Sequence, residues 1–201
     1  RLSAIEMLGA ATVLCVDKTG TLTQNRMALA QIMVDGAVHV FQDAASEKPE
    51  NFLEIFHETL EFAMLASHRD PFDPMEKSIQ QAGGSALAYT EHIHHGWTLV
   101  EEYPLSAELL AMSRVWQSPN RAQFVIAAKG APEAVIDLCH LDAERVADIS
   151  AQVDQLAQQG LRVLAVARAS FQPPDLPAIQ HDFEFRFLGL VGLADPLRPS
   201  V

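Results

Sequence analysis

Long apolar runs are what this sequence most plainly lacks. Although 49% of its residues are hydrophobic, no stretch approaches the roughly 20 residues that a membrane-spanning helix needs. Cysteine is nearly missing as well. Cys15 lies in a short apolar run and Cys139 near an expected helix end, which excludes a disulfide framework or Cys-ligand spacing and leaves two reduced, structural thiols as the expectation. Positive charge is scarce: 14 Lys and Arg stand against 26 Asp and Glu, a formal net charge of −12. Such a chain has no positive field to hold nucleic acid or an anionic membrane nonspecifically, whereas one nucleotide needs only a local basic pocket. Repeats and low-complexity tracts are absent too. The 201 residues suit one or two domains, and the opening Arg1-Leu2-Ser3, with neither initiator Met nor leader, reads as a piece of something longer.

The most informative stretch is Asp17-Lys18-Thr19-Gly20-Thr21-Leu22-Thr23, after the apolar run Ala11 to Val16. That run predicts a strand buried on both faces and ending at Asp17. Ligands of open α/β sheets sit at such carboxyl ends, Gly20 permits a sharp turn, and Thr19, Thr21 and Thr23 offer hydroxyls and amides to oxyanions. The residues therefore suggest a carboxylate nucleophile in a phosphate-binding loop.

Further along, Ala28 to Val34 and Ala37 to Phe41 are β-type runs joined by Asp35-Gly36, a strong hairpin signal. An antiparallel sheet begins there, which suggests a domain boundary near Met27. Phe52, Phe56, Leu60, Ala63 and Met64 share a helical face that ends near Ser67. Asp73-Pro74-Met75-Glu76 carries N-cap, first-turn Pro and third-position Glu, predicting a self-contained cap on a helix that ends at Gly83-Gly84. Strands are expected at Trp97 to Tyr103, Met112 to Gln117 and Ala122 to Ala128, the last broken by Lys129-Gly130 before a helix from Pro132 to about Cys139. Asp142 caps a helix with Val146, Ile149, Val153 and Leu156 on its apolar face, closed by Gly160. Strands Leu161 to Ala167 and Phe183 to Leu193 flank a Pro173-Pro174 loop. His92, His94 and His95 with Glu91 lack Cys partners or a helical i, i+4 pair, so a solvated loop is preferred to a metal site. The fold class is α/β, more narrowly α+β: an antiparallel sheet flanked by helices, following a parallel-type strand and loop.

Asp17 to Thr23, continued by Gln24-Asn25-Arg26-Met27, resembles the phosphorylation motif of the P-type cation-transporting ATPases, in which the Asp takes the γ-phosphate of ATP. Three other segments resemble that family's nucleotide-binding domain, in the right order. By that resemblance Glu76 lies near the adenine amino group, Lys129 and Gly130 form the pocket floor, and Arg162, in Gly160-Leu161-Arg162, contacts phosphates. Asp195-Pro196-Leu197-Arg198 resembles the hinge, so Asp195 and Arg198 tie the domains together. The implied layout is residues 1–26 as strand and loop of a haloacid-dehalogenase-like phosphorylation domain, 27–193 as nucleotide-binding domain and 194–201 as the returning hinge.

One departure stands out. The calcium- and sodium-pump branches place an adenine-stacking aromatic before Met-Ser and basic residues after it; here those positions are Leu105, Ala107 and Leu110, which implies weakened ATP affinity. Tyr103 would substitute only in a shifted register.

The resemblance implies ATP and Mg²⁺ as cofactors, Asp17 and the Thr19 carbonyl as Mg²⁺ ligands, and Thr21 and Lys18 as further members of the phosphorylation site. Thr19 stands where related hydrolases carry a second Asp, so an aspartyl-phosphate would persist. The implied partners are adenine nucleotide and the remaining phosphorylation, actuator and transmembrane domains of one integral membrane polypeptide, at its cytoplasmic face, with this piece monomeric and no nucleic acid bound. The cation is not legible, and calcium is chosen by similarity. The alternatives are a regulatory nucleotide-binding module with weakened affinity and a haloacid-dehalogenase-like phosphatase. Since phosphoryl transfer depends on positioning and charge neutralisation, and the family's Thr-Gly-Asp loop, lysine and paired aspartates are absent here, the 201-residue piece is expected not to phosphorylate itself. Stable ³²P incorporation from labelled ATP, abolished by Asp17→Asn, would contradict this.

Overall fold

The computed structural model describes residues 12–13, 15–17, 21–24, 26–119, 124–172 and 175–196. They fall into two compact units, a larger one of Met27–Ala194 and a smaller one joining residues before Met27 to those from Asp195 on.

The larger unit is built on one seven-stranded sheet, antiparallel at every pairing. Its strands are β1 (Ala28–Val34), β2 (Ala37–Val40), β3 (Thr98–Tyr103), β4 (Ala111–Gln117), β5 (Phe124–Gly130), β6 (Arg162–Phe171) and β7 (Arg186–Ala194), in spatial order β2-β1-β7-β6-β5-β4-β3. The β1–β2 hairpin turns on Asp35 and Gly36 at φ +47° and +82°, the left-handed pair that matches strand twist. Four helices cover the faces: α1 (His57–Leu65), α2 (Pro74–Ala86), α3 (Pro132–Leu138) and α4 (Ala143–Gln158).

Alternation along β5 explains the two layers. Val125 and Ala127 join the core under α1 and α2, with Phe52, Phe56, Leu60, Ile79 and Val191, while Ile126 and Ala128 join the core under α3 and α4, with Val135, Leu138, Ile149 and Leu156. Every residue of β5 is buried, as a central strand covered on both faces requires. Lys129 shares the parity of Val125 and Ala127, which aims it at the α1/α2 layer. Burial in the other layer pushes the Cys139 thiol up to about 12.

Several sequence expectations change. Residues 12–17 form no strand among those described: Val13 is 77% exposed and Cys15 and Asp17 are exposed. A strand buried on both faces needs neighbours, and the seven strands found among the described residues lie in the larger unit. The second helix passes through Gly83-Gly84 to Ala86; Gly83 marks a close crossing, where a Cβ would fall 1.9 Å from Met64 Sδ. Strand β5 continues through Lys129 and Gly130 because both pair in register with Met112 and Ala111 of β4. The first helix starts only at His57, after a 3₁₀ turn at Glu54–Phe56. The Pro173-Pro174 loop lies outside the described residues.

Asp142 caps α4 by accepting from the Arg145 N–H at 2.8 Å. Asp142→Ala should therefore lower stability by about 1 kcal/mol, read as a shift in the urea midpoint at unchanged slope.

Candidate nucleotide-binding cleft

Segments far apart in sequence converge on a cleft of about 490 Å³ whose lining includes Asp73, Met75 and Glu76 from the start of α2, Leu105 and Leu110 from the β3–β4 loop, Met112 of β4, Lys129 and Gly130 of β5, Glu133 of α3 and Arg162 of β6. Each is placed by a local rule. Asp73 caps α2 through the N–H groups of Met75 (2.8 Å) and Glu76 (3.0 Å), with Pro74 in the first turn, where its missing N–H is no loss. Gly130 is required by crowding: a Cβ there would lie 2.4 Å from the Leu110 carbonyl oxygen and 2.5 Å from Ala111 Cα. The backbone of β4, rather than a ligand, makes that close approach. Arg162, the first residue of β6, is exposed at the rim.

The floor is an ion pair. Lys129 (5% exposed) donates to Glu76 Oε1 at 2.5 Å and to the Ala66 carbonyl at 2.7 Å. Glu76 (7% exposed) accepts on Oε2 from the His68 Nδ1–H at 2.8 Å and the His68 backbone N–H at 3.2 Å. The sequence predicted that Glu76 would complete its own helix cap; the carboxylate instead leaves that task to Asp73 and reaches across to β5. Burial pushes the Glu76 carboxyl up, but the Lys129 ammonium and His68 outweigh it and hold it below the usual carboxylate range. Burial pushes the Lys129 ammonium down, offset only in part by Glu76.

The expected site residues thus fall into two groups. Glu76, Leu105, Lys129, Gly130 and Arg162 line this one cleft. Asp17, Thr21 and Asp195 belong to the smaller unit, in which Asp195 accepts from the Thr23 hydroxyl at 2.6 Å and the Arg26 N–H at 3.1 Å while the Gln24 N–H meets the Pro196 carbonyl at 2.9 Å. Asp195 thereby joins the two chain segments of that unit. Lys18, Thr19 and Arg198 lie outside the described residues. Tyr103 does not replace the missing aromatic: it pairs with Ser113, and its hydroxyl donates to the Pro177 carbonyl at 2.5 Å. Leu105 and Leu110 are 57% and 48% exposed, bare apolar surface where the resemblance places a stacking ring and a basic residue.

Sequence reasoning missed His68 and the apolar lining of Met75 and Met112. Met112 comes beside Lys129 through the cross-strand register of β4 and β5, which alternation within either strand does not reveal. The histidine cluster is divided: His92 Nδ1 and His94 Nε2 each lie 2.6 Å from an oxygen of the buried Glu61, whereas Glu91 and His95 are exposed in the loop, as expected. Among the described residues no group of three or more His, Cys, Asp or Glu could hold a metal ion, nor is any helix long and apolar enough to cross a membrane.

An antiparallel sheet covered by helices on both faces, with a charged-floor cleft, defines an α/β domain. The family profile of the P-type ATPase cytoplasmic domain N matches residues 42–200, and the chain belongs to that family. It is 28% identical over 233 residues to a calcium-transporting ATPase of Bacillus subtilis (strain 168), covering all of this chain and 26% of the relative. It is 30% identical over 237 residues to the cation-transporting ATPase pma1 of Synechocystis, again with all of this chain and 26% of the relative. A plasma membrane-type calcium-transporting ATPase 2 of Arabidopsis thaliana is 27% identical over 228 residues, with 100% of this chain and 22% of the relative. The chain therefore spans about a quarter of the length of these relatives.

Removing one partner of a buried pair strands the other charge, at a cost of about 3 to 5 kcal/mol. Glu76→Gln should lose stability of that order at neutral pH in urea unfolding, and a Glu76→Gln/Lys129→Met double variant should be more stable than Glu76→Gln alone. The pH dependence has a fixed sign. Because the folded Glu76 ionises below its ordinary value, its contribution is complete above that value and is lost as pH falls through the folded one. The stability gap between wild type and Glu76→Gln should therefore narrow in acid.

Proposed function

We propose that the cleft binds the adenine nucleotide that fuels a P-type ATPase, and that the full protein couples ATP hydrolysis to cation transport through an aspartyl-phosphate at Asp17. The observation that carries the binding reading is the convergence of Glu76, Leu105, Lys129, Gly130 and Arg162 on a single cleft, although up to 86 residues separate them. Glu76, ionised, can only accept, which suits an N–H donor such as the exocyclic amine of adenine. Met75, Met112, Leu105 and Leu110 offer apolar surface to a base, and Arg162 at the rim offers a charged fork to phosphate oxygens.

The fit has limits that shape the reading. Lys129 is already committed to Glu76 and Ala66, so the positive charge left for phosphates in the cleft is chiefly Arg162. Asp73, Glu76 and Glu133 line it as well. The donors present favour the base and ribose end of a nucleotide and grip its phosphates weakly. Mg²⁺ would enter with those phosphates. Asp17 is the side chain that would meet the ion, and among the described residues no group of three or more His, Cys, Asp or Glu is present to complete a metal cage. In the full protein Asp17, exposed in this chain, would be the carboxylate nucleophile that attacks a γ-phosphorus in line. By the relatives' names the transported species is a cation, with calcium the choice by similarity, and the cytoplasmic face of a membrane is the matching location.

A second reading, a regulatory module with weakened ATP affinity, is favoured by the exposed Leu105 and Leu110. Titration with ATP and ADP, followed by amide shifts of residues around Glu76 and Lys129, separates the two. Saturable shifts at millimolar nucleotide or below are expected, and their absence would select the regulatory module. Base–aromatic stacking contributes ~1 to 3 kcal/mol, so Leu105→Phe should tighten binding about fivefold or more.

A further inference from the structure

We propose that His68 is a positioning residue for Glu76: it fixes one oxygen of the carboxylate so that the other faces both Lys129 and the N–H donor of a bound base. The identity of the ligand rests on the nucleotide reading above, whereas the hold on Glu76 does not.

An ionised carboxylate only accepts, so His68 Nδ1, 2.8 Å from Glu76 Oε2, must carry a proton. With the His68 backbone N–H at 3.2 Å on the same oxygen, both acceptor sites of Oε2 are used. Oε1 takes Lys129 and keeps one site. Without the imidazole, the carboxylate could turn and give both oxygens to the ammonium, leaving a ligand amine without a fixed partner.

The support for His68 is unusually complete. It lies in the turn after α1, where three successive carbonyls are each claimed: Ala66 by Lys129 Nζ at 2.7 Å, Ser67 by Arg114 Nη1 at 2.9 Å and His68 by Gln80 Nε2 at 2.9 Å. The other ring nitrogen faces Glu102 Oε2 at 3.8 Å, and Glu102 is itself paired with the buried Arg114. The charged groups around the ring are therefore Glu76 of α2, Glu102 of β3, Arg114 of β4 and, through Glu76, Lys129 of β5. The His68 side chain is 51% exposed, so packing does not require it. Its backbone is anchored by neighbours on three elements, and its ring is aimed at one carboxylate.

The test uses the 201-residue chain as wild type, His68→Ala and His68→Asn, whose side-chain amide can still donate to Oε2. Two quantities are read: the pH titration of the Glu76 carboxyl carbon by NMR, and affinities for ATP and inosine triphosphate, in which a carbonyl replaces the amine. In His68→Ala the Glu76 midpoint should rise toward the ordinary carboxylate value. ATP should bind about tenfold more weakly, the scale of one charge-assisted hydrogen bond, with a smaller loss for inosine triphosphate. His68→Asn should stay close to wild type in both. An unmoved Glu76 midpoint in His68→Ala overturns the proposal, as does His68→Asn behaving like His68→Ala. Should wild type bind neither nucleotide at millimolar concentration, the nucleotide reading fails, and the Glu76 titration still decides the role of His68.

Discussion

The hydrogen-bonded pair between Glu76 and Lys129 is the contact on which the rest of the cleft depends. One partner is the third residue of a helix and the other the penultimate residue of an interior strand, so the pair pins the start of α2 against the end of β5. Neither side chain could be buried alone, because an unpaired charge in that layer would be far more costly than the pairing is favourable. Burial of one therefore requires the other, and the cleft floor forms as a unit or not at all. The α2 N-terminus adds a favourable field for the carboxylate.

Around that pair the sheet supplies rigidity and the loops supply character. Strands β4, β5 and β6 are paired in long, continuous registers, which fixes Met112, Lys129 and the neighbourhood of Arg162 relative to one another. The β3–β4 loop carries Leu105 and Leu110 at the open side. In this arrangement the charged chemistry is held by the sheet and helix, and the surface that would face a base is set by two exposed leucines. Tuning of affinity is thus separated from stability: the leucines can change without disturbing the core.

What could be read from the sequence was what local chemistry decides. The Asp35-Gly36 turn, the Asp73 and Asp142 caps and the alternation in β4 and β5 follow from neighbours a few residues away, and the antiparallel α+β class followed from them. The Glu76–Lys129 pair spans 53 positions and exists only after the strand and helix are packed, so no periodicity announces it. The same blindness produced the errors. Ala11 to Val16 has the composition of a buried strand, but burial comes from partners. Gly83 looks like a helix stop until the crossing with Met64 is seen. His92 and His94 look solvated until Glu61, some 30 residues earlier, is found between them. The family resemblance carried further than the pattern because it marked which distant segments meet.

The pairing of β1 with β7 sets Ala28 directly opposite Ala194. The chain thus enters and leaves the larger unit through two antiparallel neighbours, and in topological terms the unit is an insertion whose ends are already joined. Both ends of the larger unit are therefore held by one shared ladder, so neither can fray without giving up the hydrogen bonds of the other.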